Sequence, residues 1–234
     1  MNKLIAVTGG SKGIGRAILE KFAAQGFDIA TCARNQSDLA KLKEEFEAKY
    51  KSSAYVFAAD MSDKNQVNKF TAFINNLNRP IDVLVNNAGH FVPGQIMDEP
   101  DGTLEGMIGG NLYSAYNTTR GFVGGMRARK SGHIFNMCSI ASIMAYPNGG
   151  SYAISKFALL GFSKVLRAEL MEFNIRVTAV LPGATRTESW AASPLPESRF
   201  MKPEDVAEAI FSAYSLSPNS VVEEILIRPQ LGDI

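Results

Sequence analysis

The segment SYAISK, residues 151 to 156, sets a tyrosine and a lysine four positions apart, just after Gly149 and Gly150 and at the start of a long apolar-periodic run. Residues at i and i+4 are neighbours on a helix face, so the Lys156 ammonium lies beside the Tyr152 phenol or whatever the phenol binds. Such a pair becomes acid–base machinery once other parts of the chain bring a cofactor and a substrate to it. A second stretch supplies a cofactor candidate. In TGGSKGIGRAI, Gly9, Gly13 and Gly15 are spaced G-x3-G-x-G and lead directly into a helical pattern. Glycines there allow a tight turn and close approach of backbone to a pyrophosphate, while the helix N-terminus offers free N–H groups and a favourable dipole. The turn follows the first strand-like run, which is the context a dinucleotide fingerprint requires.

Which dinucleotide follows from charge. A site for NAD needs a carboxylate near the end of the second strand, about 20 residues on, to accept from the ribose 2′-hydroxyl. This chain has Ala33 there, followed by Arg34, and Lys12 sits inside the glycine turn. Two cations converging on a 2′-phosphate, with no acid to repel it, favour NADP(H).

The elements that must position these residues are legible as β-branched runs alternating with helical spacing. The runs are 4 to 8, 28 to 33, 54 to 59, 83 to 86, 133 to 137, 176 to 181 and 223 to 227. Between them lie segments such as DLAKLKEEFEAKY and YAISKFALLGFSKVLRAELMEF, with the periodicity of helices. Alternating strand and helix implies parallel strands, right-handed crossovers and helices on both faces. The expected fold is therefore a single α/β domain over 1–234, a Rossmann-type doubly wound parallel sheet of about seven strands. One long irregular stretch, roughly 185 to 203, reads as a substrate lid. Gly106, Gly109 and Gly110 each cost roughly 1 kcal/mol relative to alanine inside a helix, so a local distortion is expected around Asn111.

Bulk properties narrow the partners. With 24 Lys plus Arg against 23 Asp plus Glu, the chain carries no electrostatic signature for nucleic acid or an anionic membrane surface. Its apolar start is too short for a signal segment, and no run reaches the roughly 18 apolar residues of a membrane span, so a cytoplasmic protein acting on a small molecule is expected. Cys32 and Cys138 read as reduced core residues and no metal-ligand cluster is apparent, with His90 and His133 as bystanders.

Taken together, the chain resembles the short-chain dehydrogenase/reductase family over essentially its whole length. The resemblance rests on TGGSKGIG at 8 to 15, Asp60 after the third strand, NNAG at 86 to 89, Asn111, Ser139 lying 13 residues before Tyr152, the Tyr152 and Lys156 pair, and PGATRT at 182 to 187. It implies that Tyr152 is the general acid for a carbonyl reduced by hydride, that Ser139 donates to the carbonyl oxygen, and that Asn111 holds a water in a relay from Lys156. A phenol ionises near pH 10, and moving it to about 7 takes about 4 kcal/mol. One cation about 4 Å away supplies an energy of that order at an effective dielectric near 20, so Lys156, helped by the oxidised nicotinamide, is expected to suffice. The resemblance also implies that Lys156 and Tyr152 hold the nicotinamide ribose. Thr8, Gly9, Ser11, Lys12, Gly13, Ile14 and Gly15 form the phosphate turn. Arg34, Asp60, Met61, Asn86, Ala88 and Gly89 surround the adenosine. Pro182, Gly183, Thr185 and Thr187 fix the carboxamide.

Substrate class is read from the tail and lid. VVEEILIRPQLGDI, PGATRTESW and GHIFNMCSIAS look like the bacterial sepiapterin-reductase-like branch of that family, which implies a pterin side-chain ketone as substrate. Trp190 is a candidate platform for the flat ring, and Asp233, Glu223 and Glu224 are candidate carboxylates for its guanidine-like edge. Reduction of a 3-oxoacyl thioester or a generic ketone or quinone is the enzymatic alternative, to which Arg186, Arg199 and Lys202 at an entrance would contribute. A non-catalytic NADPH-sensing or scaffold protein is the alternative of another class, and its mark would be a lost tyrosine or lysine. Small residues in the helices around 104–129 and 152–172 point to a homodimer or homotetramer through those helices.

Overall fold

The computed structural model describes residues 2–191 and 193–234. Strands β1 (Leu4–Thr8), β2 (Asp28–Ala33), β3 (Ala54–Ala58), β4 (Val83–Asn86), β5 (Gly132–Met137), β6 (Ile175–Pro182) and β7 (Glu224–Ile227) form one sheet in the order β3-β2-β1-β4-β5-β6-β7, and every pairing is parallel. The order reverses between β1 and β4, so the crevice at the carboxyl ends of these two strands is where an open parallel sheet binds a ligand. The central strands read as near-continuous apolar runs because both sheet faces are covered. Ile5, Val7, Val83 and Val85 pack under α1 (Gly13–Ala23) and α7 (Pro203–Ser215), while Leu4, Ala6, Leu84 and Ile134 pack against α3 (Lys64–Asn75) and α5 (Ser114–Arg129). The remaining long helices are α2 (Gln36–Tyr50) and α6 (Gly150–Leu170).

The expected strands occur where the runs lie. The helix expected over 104–129 carries the distortion expected around Asn111: α4 (Thr103–Met107) passes through a π-helical turn, Ile108–Tyr113, and runs on into α5. Glycine lowers the cost of that departure, and the turn is centred on Gly109, Gly110 and the buried Asn111. The stretch expected as an irregular lid contains two short 3₁₀ turns, Glu188–Trp190 and Glu197–Arg199. Its two ends are tied to each other, where Arg186 N donates to Met201 O at 2.8 Å and Met201 N donates to Ala184 O at 3.0 Å. Ala192, inside that expected lid, lies outside the described residues. Among the described residues no helix is long and apolar enough to cross a membrane, and no group of three or more His, Cys, Asp or Glu could hold a metal ion.

Candidate active site

A cleft of about 640 Å³ opens at the carboxyl ends of the strands and gathers the glycine turn, Ser139, Tyr152, Lys156 and the segment 182–190. At its nucleotide end, Gly9 (φ 69°) and Gly13 (φ 55°) adopt the left-handed conformation that favours glycine. A Cβ on Gly15 would lie 2.4 Å from Gly9 O, so the turn closes only with glycine there. A backbone cradle leading straight into α1 is suited to a pyrophosphate.

Two adjacent asparagines divide the work beneath it. Asn86, expected on the adenosine, is buried: its amide donates to Thr119 Oγ1 at 2.9 Å and to Asn136 Oδ1 at 2.8 Å. It ends β4 opposite Asn136 of β5, so its side chain ties the sheet to α5. Asn87 lines the cleft, and its amide donates to Thr8 O at 3.0 Å and Gly9 O at 3.1 Å. Thr8 likewise supports the turn, its hydroxyl accepting from Asn87 N at 3.0 Å and Ala88 N at 2.9 Å.

Of the other nominated residues, Lys12, Ile14, Arg34, Gly89, Pro182, Gly183, Thr185 and Thr187 line the cleft, whereas Ser11, Asp60, Met61 and Ala88 stand outside its lining. Asp60 follows β3, and hydrogen bonds from Ser62 hold its carboxyl below the usual range. Met61 is buried with its sulfur 3.3 Å from Cys32 Sγ, a core contact. Lys12 is not the free cation expected: it pairs with Glu188 at 3.0 Å and Asp38 at 3.7 Å. Those two acids come from the lid and from α2, and the sequence alone offers no signal that they meet the glycine turn.

The catalytic end is built from α6, the π-turn and the end of β5. Lys156 is buried, and its ammonium donates to Met137 O at 2.7 Å while lying 5.7 Å from the centre of the Tyr152 ring. Burial pushes its pKa down to about 8. Burial likewise acts on Tyr152, raising its pKa above the ordinary phenol value, while the neighbouring Ser139 hydroxyl pulls the other way.

Ser139 begins a 3₁₀ turn, Ile140–Ser142, where its hydroxyl accepts from Ala141 N at 3.1 Å and its own N–H donates to Ser142 Oγ at 3.2 Å. Ser142 thus helps aim Ser139. Asn111, expected to hold a water, is buried on the π-turn. Its amide donates to Ser155 Oγ at 2.9 Å and His90 O at 3.1 Å, and its oxygen accepts from His90 N at 2.9 Å. Both N–H groups are committed within the protein, so this side chain clamps α6 to the segment after β4.

On the substrate side, Trp190 lines the cleft and also packs on Phe200 at 5.4 Å, and Asp233 lines it while pairing with Arg228 at 3.2 Å. Glu223 and Glu224 do not: they pair with Arg167 and Lys164 at the β7 edge. His90, expected as a bystander, lines the cleft, as do Phe91, Met144 and Tyr146, none of which sequence spacing singled out. His133 is buried in the sheet beside Thr178, at 2.8 Å.

Comparison with known proteins decides the family. Residues 3–197 match the short chain dehydrogenase family. The chain belongs to that family. It is 33% identical over 242 residues to a sepiapterin reductase from Chlorobaculum tepidum, an alignment covering 100% of this chain and 99% of that protein. It is 34% identical to a 3alpha-hydroxysteroid dehydrogenase from Mediterraneibacter gnavus, covering 96% of this chain and 94% of the relative. Among solved structures, an alcohol dehydrogenase from the archaeon Thermococcus sibiricus complexed with 5-hydroxy-NADP superposes with a TM-score of 0.92 at 25% identity, covering 98% of this chain and 97% of that one. Membership in this family makes the chain an oxidoreductase.

Proposed function

We propose that this protein is an NADPH-dependent reductase of a small-molecule carbonyl, with a pterin side-chain ketone as its substrate. The observation that carries the reading is the convergence of Ser139, Tyr152 and Lys156 in one cleft with a backbone phosphate cradle and Arg34. The residues present fit NADP(H): glycines where a Cβ would close the turn, a cation after β2, and no carboxylate at Ala33. When bound, the reduced nicotinamide supplies a hydride to the carbonyl carbon. Ser139 holds the carbonyl oxygen by a hydrogen bond. Tyr152 gives its phenolic proton to that oxygen, so C=O becomes CH–OH and the phenolate is reprotonated from solvent through the Lys156 ammonium. Burial holds the phenol protonated, and a proton donor this weak depends on the Lys156 ammonium beside it, which stabilises the phenolate as it forms. Asn111 contributes by fixing the Ser155–Lys156 turn of α6 against His90.

The pterin reading is supported by full-length likeness to a bacterial sepiapterin reductase, by Trp190 as an aromatic wall and by Asp233 as a carboxylate at the substrate end. Charge alone does not separate the thioester alternative: Arg186 is engaged by Trp190 O at 2.9 Å and by Glu197 at 3.6 Å, but Arg199 is held only by the carbonyls of Leu231 and Asp233, and Lys202 is exposed. NADPH oxidation measured with sepiapterin beside an acetoacetyl thioester separates the two. Turnover of sepiapterin with a lower KM is expected; thioester turnover alone overturns the substrate assignment and leaves the reductase standing.

The same reading includes self-association. Tyr113, Tyr116, Ile154, Phe157 and Val165 are exposed on the π-turn, α5 and α6, an apolar surface suited to pairing with a second copy. Light scattering at micromolar concentration should give a dimer or tetramer, and a monomer would overturn this part.

A further inference from the structure

Helix α6 carries Tyr152 in its first turn, where backbone N–H groups lack helical partners. Its own N-cap, Gly149, has no side chain to offer one. The acceptor comes from Glu99, more than fifty residues earlier in the chain: Ser151 N donates to Glu99 Oε1 at 2.9 Å, and Ser151 Oγ donates to Glu99 Oε2. Ser151 is only 3% exposed, so its polar groups depend on this partner. The backbone around the contact is shaped to admit it. A Cβ on Gly150, at φ 30°, would sit 2.1 Å from Glu99 Oε1, and one on Gly94 would sit 2.7 Å from Glu99 Cγ. Gly94 N donates to Asn148 O at 3.1 Å, tying the same two segments together.

The segment 90–99 therefore touches the catalytic apparatus at three points. Asn111 brackets the His90 backbone, Phe91 packs edge-on to the Tyr152 ring at 4.8 Å, and Glu99 caps the helix beneath Tyr152. We infer that Glu99 is a positioning residue for the general acid: from a remote loop it caps the first turn of α6 and so holds the Tyr152 hydroxyl in register with Ser139. A carboxylate suits this place because it satisfies two donors at once and faces the positive end of the helix dipole. The inference rests on the reductase reading for its effect on turnover but not for its effect on the helix.

The test uses full-length protein carrying Glu99→Ala, Glu99→Gln or Ser151→Ala. Hydrogen exchange without substrate should show the amides of 151–153 exchanging at least about tenfold faster in Glu99→Ala. Glu99→Gln, which keeps an acceptor oxygen, should restore most of that protection. With a turned-over ketone, Glu99→Ala should lower kcat by about ten- to a hundredfold, as small misplacements of catalytic groups do, with the NADPH dissociation constant changed less than about twofold. Ser151→Ala should fall between wild type and Glu99→Ala. Unchanged exchange in Glu99→Ala overturns the capping role. Faster exchange with unchanged kcat overturns the positioning role. A wild-type protein that turns over no carbonyl defeats the reductase reading, while the exchange result still decides whether Glu99 caps the helix.

Discussion

The two ends of the cleft are built differently. Around Ser139, Tyr152 and Lys156 the supporting contacts are buried or part-buried hydrogen bonds from side chains to backbone or to other side chains: Lys156 to Met137 O, and Asn111 to His90 and Ser155. Around Trp190 and Asp233 they are largely exposed ion pairs and arginine contacts, such as Lys12 with Glu188, Arg186 with Glu197 and Arg228 with Asp233. A buried polar group costs heavily when its partner is lost, whereas an exposed pair contributes about 1 kcal/mol or less. On the proposed reading, losing a partner is costly at the chemical end, whereas the recognition end can adjust to a ligand at little cost. That contrast fits a family in which one reaction serves relatives as different as a sepiapterin reductase and a hydroxysteroid dehydrogenase.

Substitutions should expose the contrast. Tyr152→Phe removes the transferable proton at the chemical end and should lower kcat about a hundred- to ten-thousandfold, with NADPH affinity measured by fluorescence close to wild type. At the nucleotide end, Arg34→Ala should weaken NADPH about ten- to a hundredfold and leave NADH nearly unaffected, because a charge-assisted contact to the 2′-phosphate is lost. A steady-state comparison of the two cofactors reads that selectivity. At the recognition end, Arg228→Ala removes a half-exposed partner of Asp233 and should change the unfolding free energy by no more than about 1 kcal/mol while altering KM for the carbonyl. If Arg228→Ala proved as damaging to kcat as Tyr152→Phe, the division into a chemical and an adaptable end would fail.

Two pH dependences sharpen the same picture. Lys156 titrates near about 8, so kcat for reduction should fall as pH rises through that value and the relay loses its cation. His133 has the opposite bearing, on stability. Burial, with Arg176 nearby, keeps its imidazole neutral well below the ordinary value of 6.5. The unfolded chain takes up a proton there that the folded chain refuses, so stability present above about pH 6.5 is lost as pH falls. His133→Gln should flatten that part of a urea-midpoint profile and leave the kcat profile around 8 unchanged.

Much of this was readable from residue spacing. β-branched runs alternating with segments of helical period place seven parallel strands and their helices, and the glycine turn, Ser139, Tyr152 and Lys156, singled out by their order, meet in one cleft. What spacing does not carry is which of two neighbouring side chains faces the ligand. Asn86 and Asn87 look equivalent in NNAG, yet Asn86, the last residue of β4, turns its side chain into the sheet and Asn87, the next, lines the cleft. Spacing also omits burial, which opposes the lowering of the Tyr152 pKa expected from Lys156 and the oxidised nicotinamide, and it omits partners distant along the chain. Glu188 and Asp38 at Lys12, and Glu99 at Ser151, are of that last kind: ordinary acids in the sequence that become significant only when folding brings loops together. The glycines were half legible. Gly109 and Gly110 announced a weak helix, and the π-turn is the form that weakness takes.

The most direct test of the account is NADPH oxidation by the purified protein with a ketone substrate, wild type beside Tyr152→Phe, with NADPH binding measured on both. The account predicts undiminished binding and a loss of turnover of at least about a hundredfold in the variant. Equal turnover in the two proteins would contradict it, because the proton would then come from somewhere other than Tyr152.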